Sequence, residues 1–165
     1  MRLERPGRSQ MMSGDEDHPL PRPLPEVHEL SQLGEYRHQI EASIRRKVLS
    51  DFLDIAARFL QQNDYRPAAT FAGILAGATL EEYVRNLADA NGITTTNSGG
   101  EPAKPEPLNA ELRDKGVYDF SEELQVRTWI ELRNKAARAK RDEFTADEIR
   151  LMIQGLRDFM IRHPA

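Results

Sequence analysis

The chain has 165 residues, which is enough for one domain of about 100–150 residues and a tail. Hydrophobic residues make up 39% and charged residues 30%, as in a globular domain with a modest core. The net charge of −4 excludes a general affinity for polyanions, so a nucleic-acid site would have to be a local patch. The absence of cysteine excludes disulfides and thiolate metal sites, and it suits a reducing cytoplasm, where we expect the protein.

Membrane insertion and secretion are not predicted. The longest apolar run, residues 71–78, is far shorter than the ~20 residues that a membrane-spanning helix needs. The N-terminal arginines are followed by no apolar run, so no secretory signal is visible. The sequence also contains no glycine-rich phosphate loop, His-Glu-x-x-His motif or calcium loop, so we expect neither cofactor nor metal.

Residues 1–29 are predicted to form a disordered or extended tail. Five of the ten prolines lie there, together with an acidic run at residues 15–17 and few residues that could form a core. Such a segment cannot bury enough apolar surface to offset the entropy lost on ordering. The folded domain is therefore predicted to span residues 30–165.

The first two helices of that domain are predicted at about 34–62 and 67–90. In the first, apolar residues recur three and four positions apart in one stripe: Ile40, Ile44, Val48, Phe52, Ile55, Phe59 and Leu60. The first half of the second helix is rich in small residues, including Ala72, Gly73, Ala76 and Gly77. Because glycine costs about 1 kcal/mol in a helix, these positions predict the close approach of another helix backbone.

A linker and three more helices follow. Residues 92–107 are rich in Thr, Gly, Pro and Ser and are predicted to be mobile, and a short helix follows at 108–115. The next helix is expected to begin with Ser121 as its N-cap, and the last begins at a capping box formed by residues 145–148. The last helix carries an apolar face of Ile149, Met152, Ile153, Leu156, Phe159 and Met160. The whole pattern predicts an all-α, up-and-down bundle of four main helices and one short helix.

The end of the fourth predicted helix carries the most specific motif, Arg133-Asn134-Lys135-Ala136-Ala137-Arg138. It resembles the Arg-Asn-x-Ala-Ala-His-Gly element of the HEPN family, small α-helical proteins that are often RNA-cleaving toxins. Further landmarks of the resemblance, which spans about residues 36–163, are residues 72–82, 108–109, 116–118, 142–145 and 152–159. The resemblance implies a HEPN-like bundle that forms a homodimer and assembles a composite site around the motif.

Arg138 stands where the family has its histidine, and Ala139 replaces the glycine. Cleavage of RNA by its own 2′-hydroxyl needs a group that moves a proton near neutral pH and a cation beside the phosphate. Arginine suits the second task only, because it does not lose its proton in proteins. Arg133, Asn134 and Arg138 are therefore candidate catalytic positions of a degenerate site. This predicts an RNA- or partner-binding protein with weak or no ribonuclease activity.

Glu81 and Arg85 are further candidate site residues. They lie four apart on one helix face, and the resemblance implies a Glu-x-x-x-Lys/Arg element that orients the motif arginine. The alternative interpretation is an ordinary surface ion pair worth a few tenths of a kcal/mol.

A basic run is the candidate nucleic-acid surface: Arg133, Lys135, Arg138, Lys140 and Arg141, with no acidic residue among them. The alternative is that these cations stabilise the C-terminus of the helix through its dipole.

Two other functions stay open at this stage. One is an active, metal-independent endoribonuclease toxin of a toxin–antitoxin or defence system, with a cognate antitoxin protein as partner. The other is a structural or assembly protein without a nucleic-acid role. For all three functions a homodimer is predicted from the small-residue surface at residues 72–77, from the paired motifs that the family resemblance implies, and from the prevalence of two-fold dimers.

Overall fold

A computed structural model describes residues 27–62, 66–138 and 142–165 of the chain. These ranges contain five helices, α1 (Val27–Gln62), α2 (Arg66–Ala90), α3 (Pro105–Asp114), α4 (Phe120–Ala137) and α5 (Ala146–Arg162), and no strand. The predicted all-α class with four long helices and one short helix is confirmed. None of the described helices has the length and apolarity that a membrane crossing requires.

α2 occupies the centre of the bundle and contacts each of the other four helices. α1 and α5 pack against each other on one side of it, and α3 packs against α4 on the other. The side chains that fill the core come from all five helices, and the largest fully buried ones include Leu53, Leu80, Tyr83, Leu112, Ile153 and Phe159. Removal of these apolar groups from water is the main source of the stability of the bundle.

Local signals set most helix ends. Thr145 and Glu148 form the predicted capping box, in which the Glu148 N–H donates to Oγ1 of Thr145 and the Thr145 N–H donates to Oε2 of Glu148 at 2.7 Å. The predicted N-cap of α4 is wrong, because the cap is Asp119 rather than Ser121. The Asp119 backbone is extended, and its carboxylate accepts from the Glu122 N–H at 2.9 Å. α2 ends at Ala90, and Gly92 follows it with a φ of 67°, which suits glycine best.

The glycines of α2 lie where neighbouring helices come closest. A Cβ at Gly73 would be 2.9 Å from Cβ of Ala136 and 2.9 Å from Cδ1 of Ile149, and one at Gly77 would overlap Cβ and Cγ of Arg133. The predicted close approach is therefore confirmed, and the approaching helices are α4 and α5 of the same chain. The small residues consequently offer no free surface to a second copy, which removes this argument for a homodimer.

α1 differs from its prediction in length and in orientation. It begins at Val27 instead of near residue 34, and so includes the end of the predicted tail; residues 1–26 lie outside the described ranges. The expected single stripe is divided between two faces. The core face consists of Leu49, Leu53, Ala56 and Leu60, whereas five of the residues expected to share it are exposed: Ile40, Ile44, Val48, Phe52 and Ile55.

The segment between α2 and α3 contains a compact turn. Thr96 and Pro102 form an isolated bridge, and the Ala103 N–H donates to the carbonyl of Thr95 at 2.8 Å. The side-chain oxygen of Asn97 accepts from the N–H groups of Gly99 and Glu101. The short helix α3 begins at Pro105, within the predicted linker, and mobility of residues 92–104 stays a prediction.

Candidate functional site

The guanidinium of Arg133 lies between α4 and α2. Its Nη2 is 2.5 Å from Oε1 of Glu81, and both side chains are partly exposed, at 32% and 21%. The aliphatic stem of Arg133 passes over Gly77, one turn before Glu81 on α2. Gly77 thus provides the space through which Arg133 of α4 reaches Glu81 of α2. The small residues of α2 and the Arg133 motif of α4 are therefore in direct contact.

Asn134 fixes the other branch of the same guanidinium. The Nη1 of Arg133 donates to Oδ1 of Asn134 at 2.8 Å. Glu81 and Asn134 together hold the planar group in one orientation, since each accepts from a different terminal nitrogen. The negative charge of Glu81 also offsets part of the positive charge that Arg133 would present to an anion.

Arg85 takes a different partner from the one expected. It pairs with Glu82, with Nη1 and Oε2 separated by 2.5 Å, whereas Glu81 pairs with Arg133. The Nε of Arg85 is buried and has no hydrogen-bond partner among the described residues. Glu81 and Arg85 still lie one turn apart on one face of α2, so Arg85 adjoins the Arg133–Glu81 pair.

The predicted basic run is not one continuous surface within the described residues. Arg138 is the exposed C-cap of α4, and its backbone N–H donates to the carbonyl of Asn134 at 3.2 Å. Lys135 is two residues after Arg133, about 200° around the helix, and so cannot share its contact face. Lys140 and Arg141 lie outside the described ranges.

His163 does not supply the missing histidine. Its Nε2 is 2.9 Å from Oε1 of Glu122, and its ring packs against Tyr118 and Phe159. Glu122 and Arg133 are eleven residues apart on α4, which corresponds to about 16 Å along the helix. The fold therefore places His163 at the opposite end of α4 from the motif.

The contacts of His163 instead anchor the C-terminus. Burial opposes ionisation of Glu122, but hydrogen bonds from His163 and Arg162 outweigh it and hold the pKa of this carboxyl below its usual value. Sequence patterns gave no sign of this contact, because its partners are about forty residues apart.

A second buried network was also missed. Tyr118 donates from its hydroxyl to Oδ1 of Asn109 at 2.6 Å, and Nδ2 of Asn109 donates to the carbonyl of Glu123 at 3.0 Å. Burial raises the pKa of Tyr118, which keeps the phenol protonated as a donor. The carboxylate of Glu123 accepts from Nη1 of Arg113 at 2.8 Å. These contacts join α3 to α4 at the end of the bundle away from Arg133, and no sequence pattern indicated them.

Searches among protein families, curated proteins and solved structures find no match to this chain. Among the described residues, no three His, Asp or Glu side chains are grouped so that they could hold a metal ion. The geometry around Arg133 is therefore the main structural indication of function.

Proposed function

We propose that the protein is a HEPN-like helical domain that binds RNA on the α2–α4 surface around Arg133 and cleaves it weakly or not at all. The position of Arg133 carries the proposal. Its guanidinium is partly exposed between two helices and is held in one orientation by Glu81 and Asn134. A guanidinium fixed in this way suits the oxygens of a phosphate group, which it can bind through two parallel hydrogen bonds.

The charges near Arg133 support a phosphate ligand. Arg85 on α2 pairs with Glu82 and Arg133 on α4 pairs with Glu81, and the exposed Arg138 adds a further positive charge at the C-cap of α4. The buried Nε of Arg85 still has a hydrogen to donate. Because that Nε is buried, a phosphodiester would contact the accessible part of the Arg85 side chain, which is 28% exposed.

Binding without efficient cleavage follows from proton chemistry. Attack by the RNA 2′-hydroxyl needs a group that can release and accept a proton near neutral pH. The motif offers Arg138 at that position, and arginine stays protonated. His163 could not act as the proton carrier, because the fold holds it beside Glu122, about 16 Å along α4 from Arg133.

RNA affinity measured over a range of salt concentrations tests the proposal. Fluorescence anisotropy with a short labelled single-stranded RNA should give binding that weakens as salt rises. The Arg133→Gln variant should bind more weakly, with a salt dependence lower by about 0.7 per lost phosphate contact. Arg157→Gln is a matched control, because Arg157 is 37% exposed and pairs with Asp54 at 2.5 Å, much as Arg133 pairs with Glu81.

The outcome decides between the three functions. Equal RNA affinity of the wild-type protein and the Arg133→Gln variant would show that Arg133 does not contribute to RNA binding. Absence of binding at low salt would favour the assembly function instead. One observation supports that second candidate: α1 carries a long exposed apolar face. Rapid RNA cleavage by the unmodified protein would favour the third candidate, an active endoribonuclease toxin that a cognate antitoxin could restrain.

A further inference from the structure

α1 carries a row of seven large apolar residues that face away from the core. Each is between 40% and 63% exposed: Leu33, Tyr36, Ile40, Ile44, Val48, Phe52 and Ile55. Single exposed apolar residues are common, but a continuous row along one helix is typical of a surface that another protein covers. The core face of the same helix lies elsewhere, at Leu49, Leu53, Ala56 and Leu60.

The spacing of this row is symmetric about Ile44. Successive members are separated by three, four, four, four, four and three residues, so the row reads the same in both directions. An antiparallel copy of α1 centred on Ile44 would place Ile40 opposite Val48, Tyr36 opposite Phe52 and Leu33 opposite Ile55. A two-fold interface between identical chains needs this kind of self-complementary surface.

Charged residues beside the row follow the same symmetry with opposite signs. Arg37 and Asp51 are each seven residues from Ile44, and Glu41 and Lys47 are each three residues from it. In the antiparallel pairing, Arg37 would lie opposite Asp51 of the second copy, and Glu41 opposite Lys47. Charge pairs at the edge of an interface contribute little affinity, but they specify its register.

The first turns of α1 extend beyond the rest of their own bundle. α1 has 36 residues and α2 has 25, so the two helices differ in length by about 16 Å. The C-terminal residue of α2, Ala90, shares a cavity with His38 and Ala42 of α1, and residues 31–40 are exposed apart from a partly exposed Gly34. The bundle itself therefore leaves Leu33 and Tyr36 without cover.

We propose that two copies of the chain pair through α1, antiparallel, about a two-fold axis at Ile44. The pairing lays the overhanging turns of one α1 along the C-terminal half of the other. Exposed Phe71 and Ile74 of α2 widen the apolar surface there, since the Phe71 ring lies 4.6 Å from that of Phe59 on α1. The interface is inferred from burial, spacing and charge alone, and it does not depend on RNA binding.

The exposed area is sufficient for a stable dimer. Seven large apolar side chains that are about half exposed leave roughly 600 Å² on each copy, so pairing would bury about 1,200 Å² in total. This equals the lower limit of stable interfaces before Phe71 and Ile74 are included. The roughly 600 Å² on each copy lies at the upper end of the range for the largest apolar patch of a typical monomer.

Sedimentation equilibrium of the full chain tests the interface. We expect a mass about twice the 18.8 kDa of one chain at micromolar concentration. Ile44→Glu, which places two carboxylates against each other at the axis, should raise the dimer dissociation constant about 100-fold while the helical circular dichroism is unchanged. Leu151→Glu is the matched control: Leu151 is 68% exposed on α5, outside the row, and its substitution should leave the mass unchanged.

A charge exchange tests the register. Arg37→Glu and Asp51→Arg each create two like-charge contacts in their own homodimer, whereas a mixture of the two variants restores opposite charges at both contacts. Each substitution also affects its neighbour within the helix, but that effect is the same in homodimer and heterodimer and cancels in the comparison. The mixed dimer should therefore form about 5- to 10-fold more tightly than either homodimer.

Three results would overturn the proposal. The first is a chain that stays monomeric at about 100 µM, which would leave the row to another occupant. The second is a dimer whose dissociation constant is the same in Ile44→Glu as in Leu151→Glu. The third is a mixture of Arg37→Glu and Asp51→Arg that shows no preference for the heterodimer, which would exclude the antiparallel register about Ile44.

Discussion

Arg133 and Gly77 are in direct contact: Cβ and Cγ of the arginine occupy the space in which a side chain at residue 77 would begin. This contact lets the guanidinium reach Glu81 on the next turn of α2. The lack of a side chain at residue 77 and the path of the Arg133 stem therefore depend on each other, and both belong to the candidate site.

Gly77→Ala should destabilise the protein by about 1–2 kcal/mol. The new methyl group would overlap the stem of Arg133 at its root, where the side chain cannot move away, and overpacking costs more than the roughly 1 kcal/mol that alanine gains over glycine in a helix. Gly34→Ala is the control, because no atom lies within 4 Å of its Cβ position and the substitution should be neutral or slightly stabilising. Urea unfolding followed by circular dichroism measures both; equal effects would contradict the packing.

Glu81→Gln should raise RNA affinity several-fold at low salt. The glutamine oxygen can still accept from Nη2 and hold the guanidinium in place, but the negative charge that offsets Arg133 is removed, which favours a phosphate. The difference should disappear at high salt, because both charges are then screened. Anisotropy titrations at two salt concentrations measure this effect. A loss of affinity would instead mean that Glu81 acts mainly by positioning Arg133, and Glu82→Gln provides the comparison with a neighbouring carboxylate.

Arg138→His, alone or with Ala139→Gly, should give the protein some ribonuclease activity. Histidine can transfer a proton near neutral pH, and such help contributes about 10²–10⁴-fold in rate. Arg138→Ala is the control, since it removes the arginine without supplying a proton carrier, and it should stay inactive. Release of fluorescence from a quenched RNA substrate measures the rates. A histidine variant that is folded, binds RNA and is inactive would show that the family mechanism does not apply here.

Glu122→Gln should reduce the loss of stability in acid. The pKa of Glu122 in the folded state lies below its ordinary value of 4.5, so its contribution is fully present above pH 4.5. It is lost as the pH falls through the folded-state pKa, when the carboxylate takes up a proton and its bonds to His163 and Arg162 weaken. Urea unfolding between neutral pH and about pH 3 should show a smaller decrease in the variant. An unchanged decrease would exclude this contact as a source of acid sensitivity.

Asn109→Leu should cost about 1–3 kcal/mol of stability. It removes the 2.6 Å acceptor of the buried Tyr118 hydroxyl, which then has only the Asn109 backbone carbonyl at 3.3 Å, and it removes the side-chain donor to the carbonyl of Glu123. The double variant Asn109→Leu/Tyr118→Phe should recover part of the loss, because it also removes the buried hydroxyl that has lost its closer acceptor. Chemical unfolding of the wild type, both single variants and the double variant measures the coupling. Strict additivity would mean that the two side chains do not act together.

The parts of the fold that could be predicted are those with local signals. The capping box at Thr145 depends on residues three apart, and the existence of the helices depends on periodicity. The choice of the buried face of α1 could not be predicted, because periodicity identifies apolar rows without saying which one meets the core. Ile44 and Leu53 are both apolar, and only packing against α2 and α5 distinguishes them.

The residues of the candidate site could be predicted from the sequence, but the ion pairs between them could not. Glu81 and Arg85 have the spacing of an ion pair, yet Glu81 meets Arg133 because α4 crosses α2 at Gly77. Because Glu81 pairs with Arg133, Arg85 forms its ion pair with Glu82 instead. Asp119, rather than Ser121, caps α4 for a similar reason, since the backbone conformation at residue 119 is set by the turn that precedes the helix.

The central claim, that RNA binds around Arg133, is tested most directly by mapping amide chemical-shift changes while a short single-stranded RNA is added to isotope-labelled protein. The account predicts changes that concentrate at Gly77, Glu81, Arg133 and Asn134, and that disappear in Arg133→Gln. Changes centred instead on the basic side chains between α1 and α5, at Arg46, Lys47 and Arg157, would contradict it. So would a spectrum that RNA leaves unchanged at low salt.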